Sequence, residues 1–282
     1  MRVFVRVVLI SSFVAVAAIA SAQQRPLVTE DPEPIGAGRV LIEGGIDFAL
    51  NQEYPVSGLK GDLWRVPTLG ISVGLSSIAE LQIDGGFYDR LHIDERRSAP
   101  LSSLLTVTGD TTHDVEDLVV ATKIRFMAEG PGKPALGIRF ATKLPNASNE
   151  SGLGLDTTDF LFSLLGAKTV QSVRIVGNVG LGILADPTNG NRQNDVLTYG
   201  LSFARALTQQ TEVVGEVNGR WSTRSGEPFP GTESRSIVKV GGRYTHGPVR
   251  FDAAVFVGLT TIDPTVGFTG GFTYVFNAFN VP

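Results

Sequence analysis

Twelve long segments in which apolar and polar residues alternate constrain this chain more than any other feature of its sequence. A period of two is typical of β-strands whose two faces meet different environments. The segments are 10 to 14 residues long, which suits tilted membrane strands of about 9–11 residues better than ordinary strands of about 5–6. They are residues 39–50, 62–75, 78–88, 116–127, 135–144, 156–167, 172–184, 195–206, 211–223, 234–245, 249–259 and 265–276.

The connections between these segments alternate between long and short. The long ones are residues 51–61, 89–115, 145–155, 185–194 and 224–233, and the short ones are residues 76–77, 128–134, 168–171, 207–210 and 246–248. Only the last connection, residues 260–264, is too short to fit the series. Outer-membrane barrels have short periplasmic turns and longer external loops. The sequence therefore predicts an all-β chain: a single up-and-down antiparallel transmembrane β-barrel of about twelve strands, in the outer membrane of a Gram-negative-type envelope and in contact with its lipid.

The first 22 residues have the pattern of a secretory signal peptide. Arg2 and Arg6 precede an apolar stretch that ends in Ala20-Ser21-Ala22, a typical cleavage sequence. We therefore divide the chain into a signal peptide (1–22), a periplasmic N-terminal segment (23–38) and the barrel (39–282). The net charge of −4 argues against nucleic acid as a partner, because nucleic-acid binding requires basic patches. The absence of cysteine excludes disulfides and thiolate metal sites.

Charged residues occupy the polar face of the predicted strands, which we expect to line the lumen. Six are acids and nine are bases: Glu43, Asp47, Glu80, Asp84, Glu212, Glu216, Lys123, Arg125, Arg139, Lys143, Arg174, Arg220, Arg235, Lys239 and Arg243. Barrels of about eight strands are filled by side chains, whereas those of 16–18 strands hold an aqueous channel. Twelve strands thus predict a narrow, partly occluded pore in which these charges line the path of a small solute. The alternative is a satisfied internal network that conducts nothing.

A family resemblance starts at the opening of the presumed mature chain. The residues that carry it are Thr29-Glu30-Asp31-Pro32, Gly36-Ala37-Gly38-Arg39, Ile42-Glu43 and the alternating aromatics Phe272, Tyr274 and Phe276. With them the sequence resembles the outer-membrane family associated with the MetA pathway of phenol degradation. The resemblance implies a transporter-type barrel, and we predict that the barrel passes a small polar or aromatic-acid-type solute. Residues 277–282 follow the last aromatic of this pattern, whereas such barrels often end on an aromatic residue.

Catalytic and metal motifs are weak in this sequence. Gly70-Ile71-Ser72-Val73-Gly74 matches the G-x-S-x-G pattern, but that chemistry requires a strand-to-helix turn and a nearby histidine, and this match lies inside an alternating strand. The three histidines, His92, His113 and His246, fall in predicted connections. We therefore predict a channel or transporter without catalytic residue, metal or cofactor. A non-conducting barrel whose loop 89–115 carries the function, and a barrel hydrolase, remain as alternatives.

Three residues do not fit the alternating pattern. Pro67 interrupts a predicted strand, and Leu161 and Leu165 are apolar residues on a polar face. Proline cannot donate to a strand ladder, so it occurs at edges and bulges. We therefore expect a bulge or local packing at these three positions.

Overall fold

The computed structural model describes residues 25–280, which form fourteen strand segments and one short 3₁₀ turn. The strands are β1 (Arg39–Tyr54), β2 (Leu59–Gly74), β3 (Ala79–Gly86), β4 (Asp89–Arg96), β5 (Thr111–Asp114), β6 (Val119–Met127), β7 (Ala135–Lys143), β8 (Asp159–Val170), β9 (Val173–Ala185), β10 (Gln193–Ala206), β11 (Thr211–Ser222), β12 (Arg235–His246), β13 (Val249–Gly258) and β14 (Val266–Asn277). The turn covers Ser102–Leu104. No helix within residues 25–280 is long and apolar enough to cross a membrane. The predicted signal peptide lies outside the described residues.

The strands close into one antiparallel barrel. Each neighbouring pair is antiparallel, and β1 pairs with both β14 and β2, which closes the sheet. One half of β2 pairs with β3 and the other half with β4, so β3 and β4 are two pieces of one strand of the wall. β5 and β6 are likewise two pieces of one strand of the wall, because β5 pairs with β4 and β6 pairs with β3. The wall therefore has twelve strands, as the sequence predicts.

The irregularity expected at Pro67 is present. The register between β1 and β2 shifts between Gly45 and Asp47, opposite this proline. On the other side of β2, the break between β3 and β4 lies opposite the same position, where the Phe87 amide donates to the Pro67 carbonyl over 3.2 Å. The sequence prediction of one long loop over residues 89–115 is wrong in part, because β4 and β5 extend the wall into it.

The two faces of the wall differ as the alternation predicts. Val240, Phe251 and Val255 are more than half exposed and lie on the outer face, whereas Glu80 and Lys123 are fully buried. Because hydrocarbon solvates apolar side chains, the outer face suits a bilayer. Leu165 is 2% exposed on the inner face, and β8 pairs with β9 without a register shift. The misfit leucine is thus accommodated by packing, with no bulge at that pairing.

At the outer end of the barrel, apolar side chains and loops cover the mouth. Leu59, Leu63, Leu91, Ile93, Phe256 and Ala49 form a buried cluster, against which Tyr54, Leu105, Val107, Leu153 and Ile237 pack. The loops are joined by backbone contacts, among them the Thr106 amide to the Glu150 carbonyl over 3.1 Å. The Ser57 hydroxyl also donates to the Gly152 carbonyl over 2.8 Å. The outer end of the lumen is therefore apolar and capped.

Candidate functional site in the barrel lumen

Residues 25–38, which we call the strap, lie against inward-facing side chains of the barrel. The sequence analysis predicted residues 23–38 as a periplasmic N-terminal segment, and the described part, from Arg25 onward, contacts charged residues of the inner wall. The physical reason is charge and hydrogen-bond complementarity between the strap and the lumen. Acids of the strap meet lumen bases, while backbone N–H groups and carbonyls of the strap meet lumen carboxylates and amines.

A buried ion-pair cluster anchors the middle of the strap. The Lys123 ammonium lies 2.7 Å from a Glu30 carboxylate oxygen and 2.9 Å from one of Glu80, and all three residues are almost completely buried. Gln82 donates to Glu30 over 2.9 Å, and the Ile35 amide donates to Glu80 over 2.6 Å. Buried charges are stable only when they are paired and fully hydrogen-bonded. Lys123 therefore joins the strap to the wall.

Two arginines hold the strap near the periplasmic end. Arg174 binds Asp31 with two parallel hydrogen bonds of 2.8 and 2.7 Å, a bidentate geometry that fixes position as well as charge. Arg174 also pairs with Glu129 in the turn between β6 and β7. Arg125 pairs with Glu33 of the strap. This part of the strap is thus held by carboxylate-arginine pairs from two strands.

Toward its N-terminal side, the strap crosses to β11 and β12. The Glu216 carboxylate accepts hydrogen bonds from the backbone amides of Val28 and Thr29, both at 2.9 Å. The Lys239 ammonium donates to the Pro26 carbonyl over 2.7 Å and lies 3.5 Å from Glu216. Glu216 and Lys239 therefore bind backbone groups of the strap. The strap residues at this point, 26–29, are uncharged.

Arg25 reaches the seam where the first and last strands meet. Its guanidinium donates to Thr68 on β2 over 3.1 Å and to Thr269 on β14 over 2.9 Å. A Cβ atom at either Gly45 on β1 or Gly271 on β14 would collide with this guanidinium. The side chain thus needs two glycines at the seam to lie flat against the wall.

The remaining contacts of Arg25 complete a chain of charges along the inner wall. The guanidinium lies 3.5 Å from Asp252 on β13, and the backbone amide donates to Glu43 over 3.4 Å. The Arg25 carbonyl accepts from Arg243 over 2.8 Å and from Arg250 over 3.4 Å. Sequence analysis did not name Arg250 and Asp252, although both lie on the inward parity of β13.

The fifteen predicted lumen residues fall into two groups. Nine bind or pair with the strap: Glu43, Glu80, Lys123, Arg125, Arg139, Arg174, Glu216, Lys239 and Arg243. The other six, for which no strap contact is seen among residues 25–280, are Asp47, Asp84, Lys143, Glu212, Arg220 and Arg235. Of these, Lys143 pairs with Asp117 over 2.8 Å and with Asp159 over 3.3 Å. Asp84 pairs with Arg139 over 3.6 Å. Glu212 lies 3.5 Å from Arg243.

A cavity of about 700 Å³ lies on the outer side of the strap. Strap residues from Leu27 to Glu30 line one side. Arg220, Arg235 and Ile237, which lie near the outer ends of β11 and β12, line another. The lumen therefore holds a chamber that is bounded on one side by the strap.

The residues of the catalytic alternative lie on four strands of the wall: Ser72 on β2, His92 on β4, His113 on β5 and His246 on β12. Ser72 lies opposite Leu41 and Gln82 on neighbouring strands. His92 and His113 are exposed on β4 and β5, and His246 is exposed at the end of β12. Within residues 25–280 no group of three or more His, Cys, Asp or Glu side chains is placed to hold a metal ion.

Comparison with solved structures identifies the fold of the barrel. An outer-membrane channel of Pseudomonas putida F1 has 14% sequence identity with the chain and a TM-score of 0.62, and the match covers 87% of this chain and 98% of that one. The fold is that of an outer-membrane β-barrel. The similarity at this identity shows the fold alone.

Two further solved barrels match more loosely. The translocator domain of the autotransporter NalP from Neisseria meningitidis has 13% identity and a TM-score of 0.46, with 85% of this chain and 88% of that one covered. The channel DcaP of Acinetobacter baumannii has 10% identity and a TM-score of 0.44, with 84% and 96% covered. No family model and no curated protein matches the sequence. The resemblance to the MetA-pathway family is therefore not confirmed by sequence.

Proposed function

We propose that this chain is an outer-membrane channel or transporter for a small solute and that the strap is a plug that must shift before the solute passes. The observation that carries the proposal is the chamber of about 700 Å³ inside a closed wall, bounded by a segment held through hydrogen bonds and ion pairs. Pockets for small ligands have volumes of about 300–1,000 Å³. The chamber thus has room for one small molecule.

The chamber offers both polar and apolar contacts to a solute. Arg220 and Arg235 lie at its outer part, together with Gln52 and Ile237. Ile237 also packs against the apolar cluster at the mouth. These contacts support a small polar or anionic solute, including one with an aromatic body. The proposal assigns no catalytic residue.

A non-conducting structural barrel is the second candidate, and the strap supports it directly. The Lys123 cluster satisfies the most deeply buried charges of the lumen. A network of this kind stabilises a closed wall without any passage of solute. The two candidates differ in one property: in a channel, weakening the strap increases conductance, whereas in a structural barrel it only lowers stability.

Planar-bilayer conductance of the purified protein tests the proposal. Asp31→Asn combined with Glu33→Gln removes the charges that Arg174 and Arg125 bind, so we expect more frequent or larger openings than in the wild type. Glu95→Gln at the exposed outer rim is the matched control, because Glu95 pairs only with Arg97 there. Lys239→Glu is expected to shift ion selectivity toward cations.

The proposal fails if neither the wild type nor the strap variants conduct while heat-modifiable gel migration shows that all of them are folded. Conductance that is identical in the wild type, the double variant and the control would remove the strap from the gating role.

A further inference from the structure

We infer that Arg220, Arg235 and Asn218 form a binding subsite for the carboxylate of an organic acid at the outer side of the chamber. The inference rests on the proposed function in that the bound acid would be the solute. It goes beyond that function by naming three residues and the chemical group that they recognise.

The two arginines are directly opposite each other on adjacent strands. Arg220 on β11 is the register partner of Arg235 on β12, and both line the chamber. Like charges that face each other across a strand pair destabilise it. Two register-paired arginines that both line the chamber therefore concentrate positive charge there, and an anion bound by both would offset their repulsion.

The hydrogen bonds of both arginines go to neutral acceptors. Arg220 donates to the Glu233 carbonyl over 2.9 Å and to the Gly231 carbonyl over 2.8 Å. Arg235 donates to the Glu53 carbonyl over 3.4 Å. Within residues 25–280 no carboxylate forms an ion pair with either guanidinium, in contrast to Lys123, Arg125 and Arg174. The carbonyls orient the two groups but leave their charge uncompensated.

The acids that act electrostatically on Arg220 are Glu233, Asp159 and Asp263. Each has a partner elsewhere, although Glu233 Oε2 and Asp263 Oδ1 are buried and have no hydrogen-bond partner among residues 25–280. Asp263 accepts from the Ser236 amide over 2.9 Å and from the Thr260 hydroxyl over 2.7 Å. Asp159 pairs with Lys143 over 3.3 Å. Glu233 accepts from the Gly231 amide over 2.9 Å. None of the three closes the subsite.

Asn218 gives a second, independent indication. It lies two residues before Arg220 on the same face of β11 and lines the chamber. Its Nδ2 atom is buried and has no hydrogen-bond partner among residues 25–280. A buried donor without an acceptor destabilises the protein. A carboxylate bound by the arginines supplies the missing acceptor, and arginine binds carboxylates in a bidentate geometry.

The apolar side of the chamber defines the rest of the ligand. Ile237 is two residues after Arg235 on the inner face of β12, and it packs against the cluster that includes Leu59, Leu91 and Phe256. Burial of apolar surface favours a ligand with a hydrocarbon or aromatic body beside its charge. The geometry therefore points to a small amphiphilic monocarboxylate.

Isothermal titration of the full chain in detergent with benzoate and with benzamide, its neutral counterpart, tests the subsite. We expect benzoate to bind and benzamide to bind at least about tenfold more weakly, because hydrogen bonds between arginine and a carboxylate are stronger than those to a neutral amide. Arg220→Gln and Arg235→Gln are each expected to weaken benzoate binding about tenfold. Arg205→Gln is the matched control and should bind benzoate as the wild type does. Arg205 is exposed near the C-terminal end of β10, at the opposite end of the barrel from the subsite.

The inference is overturned if benzoate and benzamide bind equally, if wild-type protein binds neither, or if the folded Arg220→Gln/Arg235→Gln double variant retains wild-type affinity for benzoate. Titration measures binding without passage. A folded barrel that binds benzoate through the two arginines but does not conduct with a weakened strap would refute the channel and keep the subsite. A conducting barrel without selective benzoate binding would refute the subsite alone.

Discussion

The strap side and the outer side of the lumen use the same residue types in opposite ways. On the strap side, Lys123 lies within 3 Å of two carboxylates, one from the strap and one from the wall. On the outer side, Arg220 and Arg235 face each other and donate only to carbonyls. Inward-facing bases are therefore not equivalent in this barrel, because some hold the structure together and others remain available to a ligand.

The two groups of bases differ in how much stability the protein loses when a base is substituted. A base whose removal leaves buried carboxylates without a partner is part of the stability of the fold. A base whose removal relieves repulsion and leaves only neutral carbonyls behind contributes little to that stability. The measurements below compare the two groups in order of expected effect.

Lys123→Met should cause the largest loss of stability. It removes the cation that lies within 3 Å of both buried carboxylates, while Arg139 remains 3.6 Å from Glu30. Breaking such a group costs about 3–5 kcal/mol. Unfolding by denaturant, followed by heat-modifiable gel migration, measures the change. Lys133→Met in an exposed turn is the control and should lie within about 0.5 kcal/mol of the wild type. Equal effects of the two substitutions would contradict the structural role of Lys123.

The Arg220→Gln/Arg235→Gln double variant should change stability by no more than about 1 kcal/mol, because lost bonds to carbonyls are offset by relief of the like-charge pair. The same unfolding assay measures it. A loss as large as that of Lys123→Met would show that the outer arginines are structural and would erase the distinction between the two sides.

Acidification should have the smallest effect, at the periplasmic turn below the strap. Burial alone would raise the pKa of Glu129, but the Thr169 amide, Lys168 and Arg174 together hold this pKa below its usual value of 4.5. A carboxyl with a lowered pKa stabilises the fold above its ordinary pKa, and that stability is lost as the pH falls through the folded value. We expect less than about 1 kcal/mol.

Denaturant unfolding of the wild type and Glu129→Gln at pH 7 and below pH 4 measures this contribution. The variant should be less stable than the wild type at pH 7, and the two should converge in acid. Parallel pH profiles of the two proteins would show that Glu129 contributes nothing to the anchoring of Arg174.

The wall was predictable from sequence because alternation and turn spacing are local signals. The predicted segment 211–223 corresponds to β11, and segment 234–245 to β12, to within one residue at each end. The extension of the wall by β4 and β5 was missed because their short strands lie in a polar connection. Parity also assigned Glu80, Lys123 and Lys239 to the face on which the structure places them.

The strap was not predictable by the same means. Residues 25–38 show no period of two, and their positions depend on partners such as Asn178 and Glu216, which are far away in the chain. Parity gives the face of a strand residue but not its partner, so it could not separate Lys123 from Arg235. The signal that was available and overlooked is Arg250 and Asp252, which alternate on the inner face of β13.

The position of Arg25 has a consequence for biogenesis. This side chain bonds to β2 and β14 and rests on glycines of β1 and β14, so its complete binding site exists only after the two ends of the sheet have joined. Complete binding of this end of the strap therefore cannot precede the pairing of β1 with β14.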